Sequence, residues 1–187
     1  YAFDKDEQAL RESAEVLKEY KDRVTLIHAD YCSIRHELEE RGIDGIDGVM
    51  MDLGVSSPQF DDPTRGFSYR TDAPLDMRMD QTQRLSAYEV VNTYTAEKLT
   101  RILREYGEER YASSIARHIV QERIKSPIET TLQLVDVIRQ SLPNSELRKK
   151  GHPAKQTFQA LRIEVNDELT SLRAGLSDAC QMLNLHG

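Results

Sequence analysis

The sequence predicts an α/β fold in which a parallel sheet carries a helical insertion. Residues 1–54 alternate short apolar runs with helical segments, which is the pattern of strands joined by crossover helices. The composition changes after Gly54, where a long stretch has no clear period, and from Ser86 onward the chain has helical periodicity. We therefore predict a sheet-forming part over 1–62, a helical insertion over 63–150, and a helix within 151–187 that returns to the first part.

The first part contains three predicted strands and two predicted helices. In order, they are a strand that ends near Phe3, a helix over 7–20 with Asp6 as its N-cap, a strand over 24–30, a short helix that ends at Gly42, and a strand over 46–54. This order of strand and helix predicts that the strands are parallel.

The remaining segments predict five helices. They cover 86–92, 95–107 with Thr95 as the cap, 108–125, 131–142, and a long last helix from Gln156 to Leu183. Pro127 and Pro143 end two of them, because proline cannot continue a helix. The apolar positions of these helices predict a core of Leu99, Ile102, Leu103, Ile115, Ile119, Leu161, Val165 and Leu169.

Composition narrows the class of protein. Of the 187 residues, 39% are hydrophobic and 30% are charged, which is typical of a soluble globular protein that we expect in the cytoplasm. No apolar run approaches the roughly 18–20 residues of a membrane span. The two cysteines, Cys32 and Cys180, lie far apart and predict buried thiols rather than a disulfide or a zinc site. The five histidines lack ligand-like spacing, so we predict no metal.

Three side chains follow the ends of predicted strands, where ligands bind in open α/β sheets. An acid at Asp4 fits the ribose hydroxyls of a nucleotide, although helix capping explains it equally well. Tyr31 is placed to lie against an adenine ring, with core packing as the alternative. Asp52 is the strongest candidate, because a carboxylate at the end of a buried strand is desolvated unless a ligand or partner satisfies it.

The segment SSPQF, residues 56–60, resembles the short Pro-aromatic motif of amino-group methyltransferases, with Gln59 in place of the second proline. An exocyclic amine of a base is a poor nucleophile, because its lone pair is delocalised into the ring. Fixed hydrogen-bond acceptors, for which we consider the carbonyls of Ser56, Ser57 and Pro58, favour a more nucleophilic nitrogen. The spacing equally allows the segment beginning at Asp52 to occupy the place of the motif.

Basic residues are concentrated in two places despite a net charge of −7. The first is the arginine-rich loop after SSPQF, which includes Arg65 and Arg70 with interleaved aromatic residues. These arginines either pair with acids that we expect to be buried, Asp72, Asp76 and Asp80, to brace the loop, or contact RNA. The second is RKKGHPAK, residues 148–155, which is either a solvated loop between helices or a phosphate contact through Arg148, Lys149, Lys150 and Lys155.

Three long stretches give the chain a family resemblance. They are DGVMMDLGVSSPQFDDPTRGFSYRTDAPLDMRMD, YGEERYASSIARHIV and HPAKQTFQALRIEVNDEL, and they span almost the whole chain. In them the chain resembles the bacterial 16S ribosomal RNA cytosine-N4 methyltransferases of the MraW type. The resemblance implies a partial Rossmann-like class I methyltransferase domain that uses S-adenosyl-L-methionine. It further implies that Asp4, Tyr31, Asp52 and Gln59 contact this cofactor, and that the helical insertion recognises 16S ribosomal RNA or the small ribosomal subunit.

The chain departs from this family at both ends. The family pattern begins with a Gly-Gly-His loop that would precede Tyr1, and it continues with a Ser-Phe-His-Ser-Leu-Glu-Asp run that would follow the last residue. We therefore expect an interior fragment of a longer enzyme, with Asp52, Ser57 and Pro58 as its catalytic candidates. Two other functions are considered, namely a nicotinamide-dependent oxidoreductase and, for the fragment itself, a non-enzymatic RNA-binding or assembly factor.

Overall fold

A computed structural model describes residues 1–185 and divides the chain into two units. Unit 1 contains residues 1–54, residues 79–81 and the chain from Asp167 onward, whereas unit 2 contains residues 55–78 and 82–166. These divisions fall at 54/55 and 166/167, which differ from the predicted boundaries at 62/63 and 150/151. Each unit is described by itself below.

The sheet of unit 1 has two parallel strands, β1 (Ala2–Asp4) and β2 (Leu26–His28), paired with Phe3 opposite Ile27. Helix α1 (Glu7–Val16) connects them. The predicted N-cap is confirmed, because a carboxylate oxygen of Asp6 accepts the backbone N–H of Gln8. The chain after α1 forms a short 3₁₀ turn instead of continuing the predicted helix to residue 20.

The predicted third strand over 46–54 is wrong in extent. Ile46 alone forms a parallel bridge, to Leu183, through backbone hydrogen bonds of 2.9 Å to residues 182 and 184. The next apolar side chains are open to solvent, with Val49 43% and Met50 93% exposed. A strand requires a ladder of partners, and within residues 1–185 only Ile46 of this segment has one.

The core of unit 1 lies between α2 (Ile34–Glu39) and α10 (Glu168–Met182). Its buried side chains are Ile34, Leu38, Ala179 and Met182, with Phe3, Ile43, Ile46 and Met51 packed against them. Gly42, with φ of +73°, lies just after α2 in the left-handed conformation that commonly terminates helices.

The named elements of unit 2 are helices, and an isolated antiparallel bridge joins Pro74 to Thr130. Its helices are α3 (Ser57–Asp61), α4 (Ala87–Thr93), α5 (Ala96–Glu105), α6 (Ala112–Lys125), α7 (Thr131–Gln140), α8 (Asn144–Leu147) and α9 (Lys155–Asn166). Thr95 caps α5 as predicted. The predicted core is confirmed for Leu99, Ile102, Leu103, Ile115, Ile119, Leu161 and Val165, all of which are buried.

The predicted long last helix is two helices. Asp167, with φ of +49° and ψ of +39°, separates α9 from α10. Helix α9 packs on α4 and α5 within unit 2, so residues 155–166 belong to the helical unit and do not return to the sheet as predicted. Leu169, on α10, is 48% exposed, and its assignment to the core was wrong.

Both cysteines are free thiols. The expectation that both are buried was wrong, because Cys32 is half-buried and Cys180 is exposed. Within residues 1–185, no helix has both the length and the apolar character needed to cross a membrane. The same residues bring together no group of three or more metal-ligating side chains.

Candidate functional site

Asp4 lies at the carboxyl end of β1 and is half-buried. Its Oδ1 accepts the backbone N–H of Asp6 at 2.8 Å. A carboxylate offers about four acceptor positions, so this bond leaves capacity for further donors. Burial raises the pKa of Asp4 above its ordinary value of 3.8, which indicates a carboxylate that is incompletely solvated in this chain. This geometry fits two hydroxyl donors from a ribose.

Asp30, just beyond β2, accepts bonds from three residues at the same sheet edge. It accepts the Lys5 ammonium at 2.6 Å, the Cys32 backbone N–H at 3.0 Å and the Ser171 hydroxyl at 3.1 Å. Burial alone would raise the pKa of Asp30, but the bonds from Lys5 and Cys32 outweigh it and lower the pKa. Asp30 was not among the candidates predicted from the sequence, although it follows β2 much as Asp4 ends β1.

Tyr31 packs against α10. Its hydroxyl donates to the Glu168 carbonyl at 3.3 Å, and a methyl group added at Gly175 would come within 2.9 Å of the ring. Burial, aided by the charge of Asp30, raises the pKa of Tyr31 to about 12, so the phenol stays protonated. These contacts agree with core packing, which was the alternative considered for Tyr31. An adenine contact is restricted to the part of the ring that remains exposed.

Asp52 is exposed. The predicted desolvation of this acid at a buried strand end is therefore wrong for this chain, since the strand itself is not formed around it. The carboxylate remains an accessible negative charge that a cationic ligand group can approach.

The SSPQF segment forms α3 rather than an irregular loop. Ser56 is its N-cap, and Gln59 completes a capping box in which its Oε1 accepts the Ser56 N–H at 3.0 Å. The carbonyls of Ser56 and Pro58 accept the N–H groups of Phe60 and Asp62. Gln59 is 6% exposed, so a direct cofactor contact does not fit its position, and its observed role is to fix the start of α3.

The arginine-rich loop is braced from within. Arg78 forms a two-pronged ion pair with Asp76, at 2.8 and 2.7 Å, and donates to the Gln83 carbonyl. Arg65 is 6% exposed and donates to the Arg78 carbonyl at 3.0 Å, so burial removes it from an RNA-facing surface. Asp72, in contrast, is exposed, and the expectation that it is a buried partner of an arginine was wrong.

The segment over 148–155 links α8 to α9. Arg148, Lys150 and Lys155 are exposed. Lys149 is exposed too, but its ammonium lies 2.8 Å from the Glu146 carboxylate, which neutralises part of its charge. Together with Arg70, which is exposed in the arginine-rich loop, this segment gives unit 2 several solvent-facing cations.

Comparison of the sequence with known proteins assigns the chain to a family. A sequence model of the MraW methylase family matches residues 1–187. The chain belongs to this family. It is 52% identical over 192 residues to "Ribosomal RNA small subunit methyltransferase H" of Oenococcus oeni (strain ATCC BAA-331 / PSU-1), covering 100% of the chain and 60% of the relative. It is 51% identical over 185 residues to the protein of the same name from Clostridioides difficile (strain 630), covering 99% of the chain and 60% of the relative.

The chain thus spans about 60% of the length of these curated relatives of the MraW methylase family. The resemblance seen in the three sequence stretches is confirmed. Two features of this family member were not predicted from its sequence, namely the Lys5–Asp30 pair at the sheet edge and a ring stack between Tyr69 and His152. The position of Asp30 after an apolar strand was a signal in the sequence for the Lys5–Asp30 pair. The Tyr69–His152 stack joins residues that are too distant in sequence to predict.

Proposed function

We propose that the complete protein is an S-adenosyl-L-methionine-dependent methyltransferase of the cytoplasm that methylates the N4 amine of a cytidine in 16S ribosomal RNA. The observation that carries this proposal is the match of the MraW methylase family over residues 1–187. The names of its relatives, which specify methyl transfer to small-subunit ribosomal RNA, support the substrate class.

Unit 1 has the role of holding the cofactor in this proposal. The half-buried Asp4 carboxylate accepts the ribose hydroxyls, and its raised pKa and remaining acceptor positions support that role. Tyr31 borders the adenine with the part of its ring that α10 leaves exposed. Asp52 supplies an accessible carboxylate that steadies a positive charge. The cofactor, when bound, would supply an electrophilic methyl group.

The chain's own residues provide acceptors for the amine rather than a covalent nucleophile. Carbonyl oxygens have two lone pairs each, so those of Ser57 and Pro58 at the start of α3 retain capacity for the amine hydrogens. Water or such a carbonyl takes the proton that leaves the methylated nitrogen. Burial, together with the charge of Asp30, raises the pKa of the Cys32 thiol, which disfavours the thiolate that attack on a pyrimidine ring carbon requires.

Unit 2 has the role of contacting the RNA. Its exposed cations Arg70, Arg148, Lys150 and Lys155 are available to phosphates, with a smaller contribution from Lys149 because of its ion pair. Local concentration of positive charge is sufficient for such contacts even in a protein of net charge −7.

The test is methyl transfer by the complete protein. Purified small ribosomal subunits and free 16S ribosomal RNA are incubated with S-adenosyl-L-methionine that carries an isotopically labelled methyl group, and the product nucleosides are separated by mass spectrometry. The expected product is N4-methylcytidine. Label on a ring carbon, or binding of a nicotinamide nucleotide without methyl transfer, would overturn the proposal.

A further inference from the structure

Two exposed arginines of unit 2 are bonded to the same serine. Arg104, in the last turn of α5, donates from Nη2 to the hydroxyl oxygen of Ser113 at 2.8 Å. Arg117, about one turn after Ser113 on α6, donates from Nε to the Ser113 carbonyl at 3.2 Å. Because both bonds end on one residue, the two guanidinium groups lie within roughly 10 Å of each other.

Neither of these positive charges is neutralised by an ion pair. Three acids lie in the same stretch of the chain, namely Glu105, Glu108 and Glu109, but within residues 1–185 no carboxylate is within 4.0 Å of either guanidinium. Glu109 is 5% exposed and accepts the backbone N–H of Tyr111 at 3.0 Å. Two like charges held on one residue repel each other, and an anion that lies between them removes this repulsion.

The bonds to Ser113 leave most of the hydrogen-bond donors of this cluster available. A guanidinium carries five N–H groups, and among residues 1–185 only one of them on each arginine has a protein acceptor. The Ser113 hydroxyl accepts from Arg104, and its own proton has no acceptor among the described residues. Two guanidinium forks and one hydroxyl form a donor set that matches the oxygens of a phosphate.

The cluster lies beside the 148–155 segment. The hydroxyl of Tyr111, the residue before α6, donates at 3.0 Å to the carboxylate of Glu146, just before this segment. At the other end of the segment, Nε2 of Gln156 donates to the Glu108 carbonyl at 3.3 Å. Both ends are therefore bonded to the connection between α5 and α6, and the arginine cluster lies on the two helices that this connection joins.

We propose that Arg104, Arg117 and the Ser113 hydroxyl form a binding site for a phosphate of the RNA backbone. This inference rests on the proposed function, because it assigns the anion to the ribosomal RNA substrate. It extends the proposed RNA-binding surface from the 148–155 segment to α5 and α6. A phosphate contact of this kind fixes the position of the nucleic acid without reading its sequence.

The experiment measures binding of a 16S ribosomal RNA fragment to the complete protein at increasing salt concentrations. Arg104→Gln and Arg117→Gln should each reduce the slope of log affinity against log salt by roughly 0.7–0.9, the value of one lost phosphate contact. The matched control is Arg173→Gln, which removes an exposed arginine from α10 of unit 1 and should leave the slope unchanged.

A substitution at Ser113 tests the occupant of the site without removing an arginine. In Ser113→Asp the new carboxylate would lie between the two guanidinium groups in place of the phosphate, so the slope should fall as far as in the Arg104→Gln/Arg117→Gln double variant. An acid in the first turn of a helix is favourable, so this change should not destabilise α6. Ser113→Asn has a similar size without the charge and should retain the slope of the wild type.

The outcomes separate this inference from the proposed function. If the wild type binds the RNA but Arg104→Gln and Arg117→Gln have the same salt slope as Arg173→Gln, the phosphate site is refuted and the function stands. If the wild type does not bind ribosomal RNA at all, both are refuted. A reduced slope in a protein that transfers no methyl group to the RNA would support the site and refute the function.

Discussion

Removing the Asp30 carboxylate should destabilise the sheet edge of unit 1. Asp30 is the common acceptor for Lys5, Cys32 and Ser171. The substitution Asp30→Ala removes the carboxylate that accepts the Lys5 ammonium, whose side chain is 16% exposed. It further leaves the Cys32 N–H and the Ser171 hydroxyl without the acceptor that joins the strand end to α10.

The expected loss is about 2–3 kcal/mol in the free energy of opening of unit 1. Breaking a fully buried ion pair costs roughly 3–5 kcal/mol, and a hydrogen bond to a charged group contributes roughly 1.5–3 kcal/mol. We take a value below the full range, because the Asp30 side chain is 21% exposed and partly screened. Asp30→Asn still accepts the Cys32 N–H, so its cost should be about 1 kcal/mol.

Native-state hydrogen exchange of the complete protein measures this effect locally. The amides of residues 2–4 and 26–28 report the opening of the strand pair. The matched control is Glu7→Ala, which removes an ion pair between side chains that are more than 60% exposed and should cost about 0.5 kcal/mol or less.

The pH dependence provides an independent check. The folded pKa of Asp30 is lowered, so its stabilising contribution is fully present above its ordinary value of 3.8 and is lost as pH falls through the folded pKa. If Asp30→Ala changed the exchange free energies no more than Glu7→Ala does, the network would have no energetic importance and the reasoning would be wrong.

Three further predictions concern single side chains. Asp4→Ala in the complete protein should weaken S-adenosyl-L-methionine binding by roughly 1.5–3 kcal/mol, and unchanged affinity by calorimetry would remove Asp4 from the cofactor site. Asp52→Asn should raise the cofactor KM and leave the saturated turnover nearly intact; a loss of roughly 10²–10⁴-fold at normal KM would instead show that Asp52 acts on the amine. Because the pKa of His152 is lowered on folding, the stability of unit 2 should decrease as pH falls below 6.5, where the unfolded chain takes up the proton first. In urea denaturation His152→Gln should flatten this decrease, and an equal decrease in the variant would contradict it.

Local signals in the sequence predicted local structure well. Asp6 and Thr95 were recognised as caps, because a short polar side chain before a helical pattern satisfies the first backbone N–H groups. The capping box from Ser56 to Gln59 carried the same kind of signal, with proline in the first turn. We interpreted it as a substrate motif only, and for that reason the helix α3 was missed.

Features that depend on distant partners were not predictable in the same way. The segment over 46–54 has the composition of a strand, but pairing decides whether a strand forms, and only Ile46 is paired among the described residues. The periodicity of residues 156–183 continues through Asp167, so the pattern gave no sign of the left-handed residue that separates α9 from α10. Likewise, the burial of Arg65 follows from its bond to the Arg78 carbonyl, which the sequence does not reveal.

Unit 1 is built from segments at the two ends of the chain, so its parts are synthesised at different times. Ile34 and Leu38 of α2 are buried against Ala179 and Met182 of α10, so half of this core leaves the ribosome long after the other half. At elongation rates of about 5–20 residues per second, the interval is roughly 7–30 s. Unit 2 lies within residues 55–166, so its contacts can form before α10 has left the ribosome. We expect the helical unit to fold first on the nascent chain, while α2 and the strand pair wait for α10 with their apolar faces exposed to chaperones.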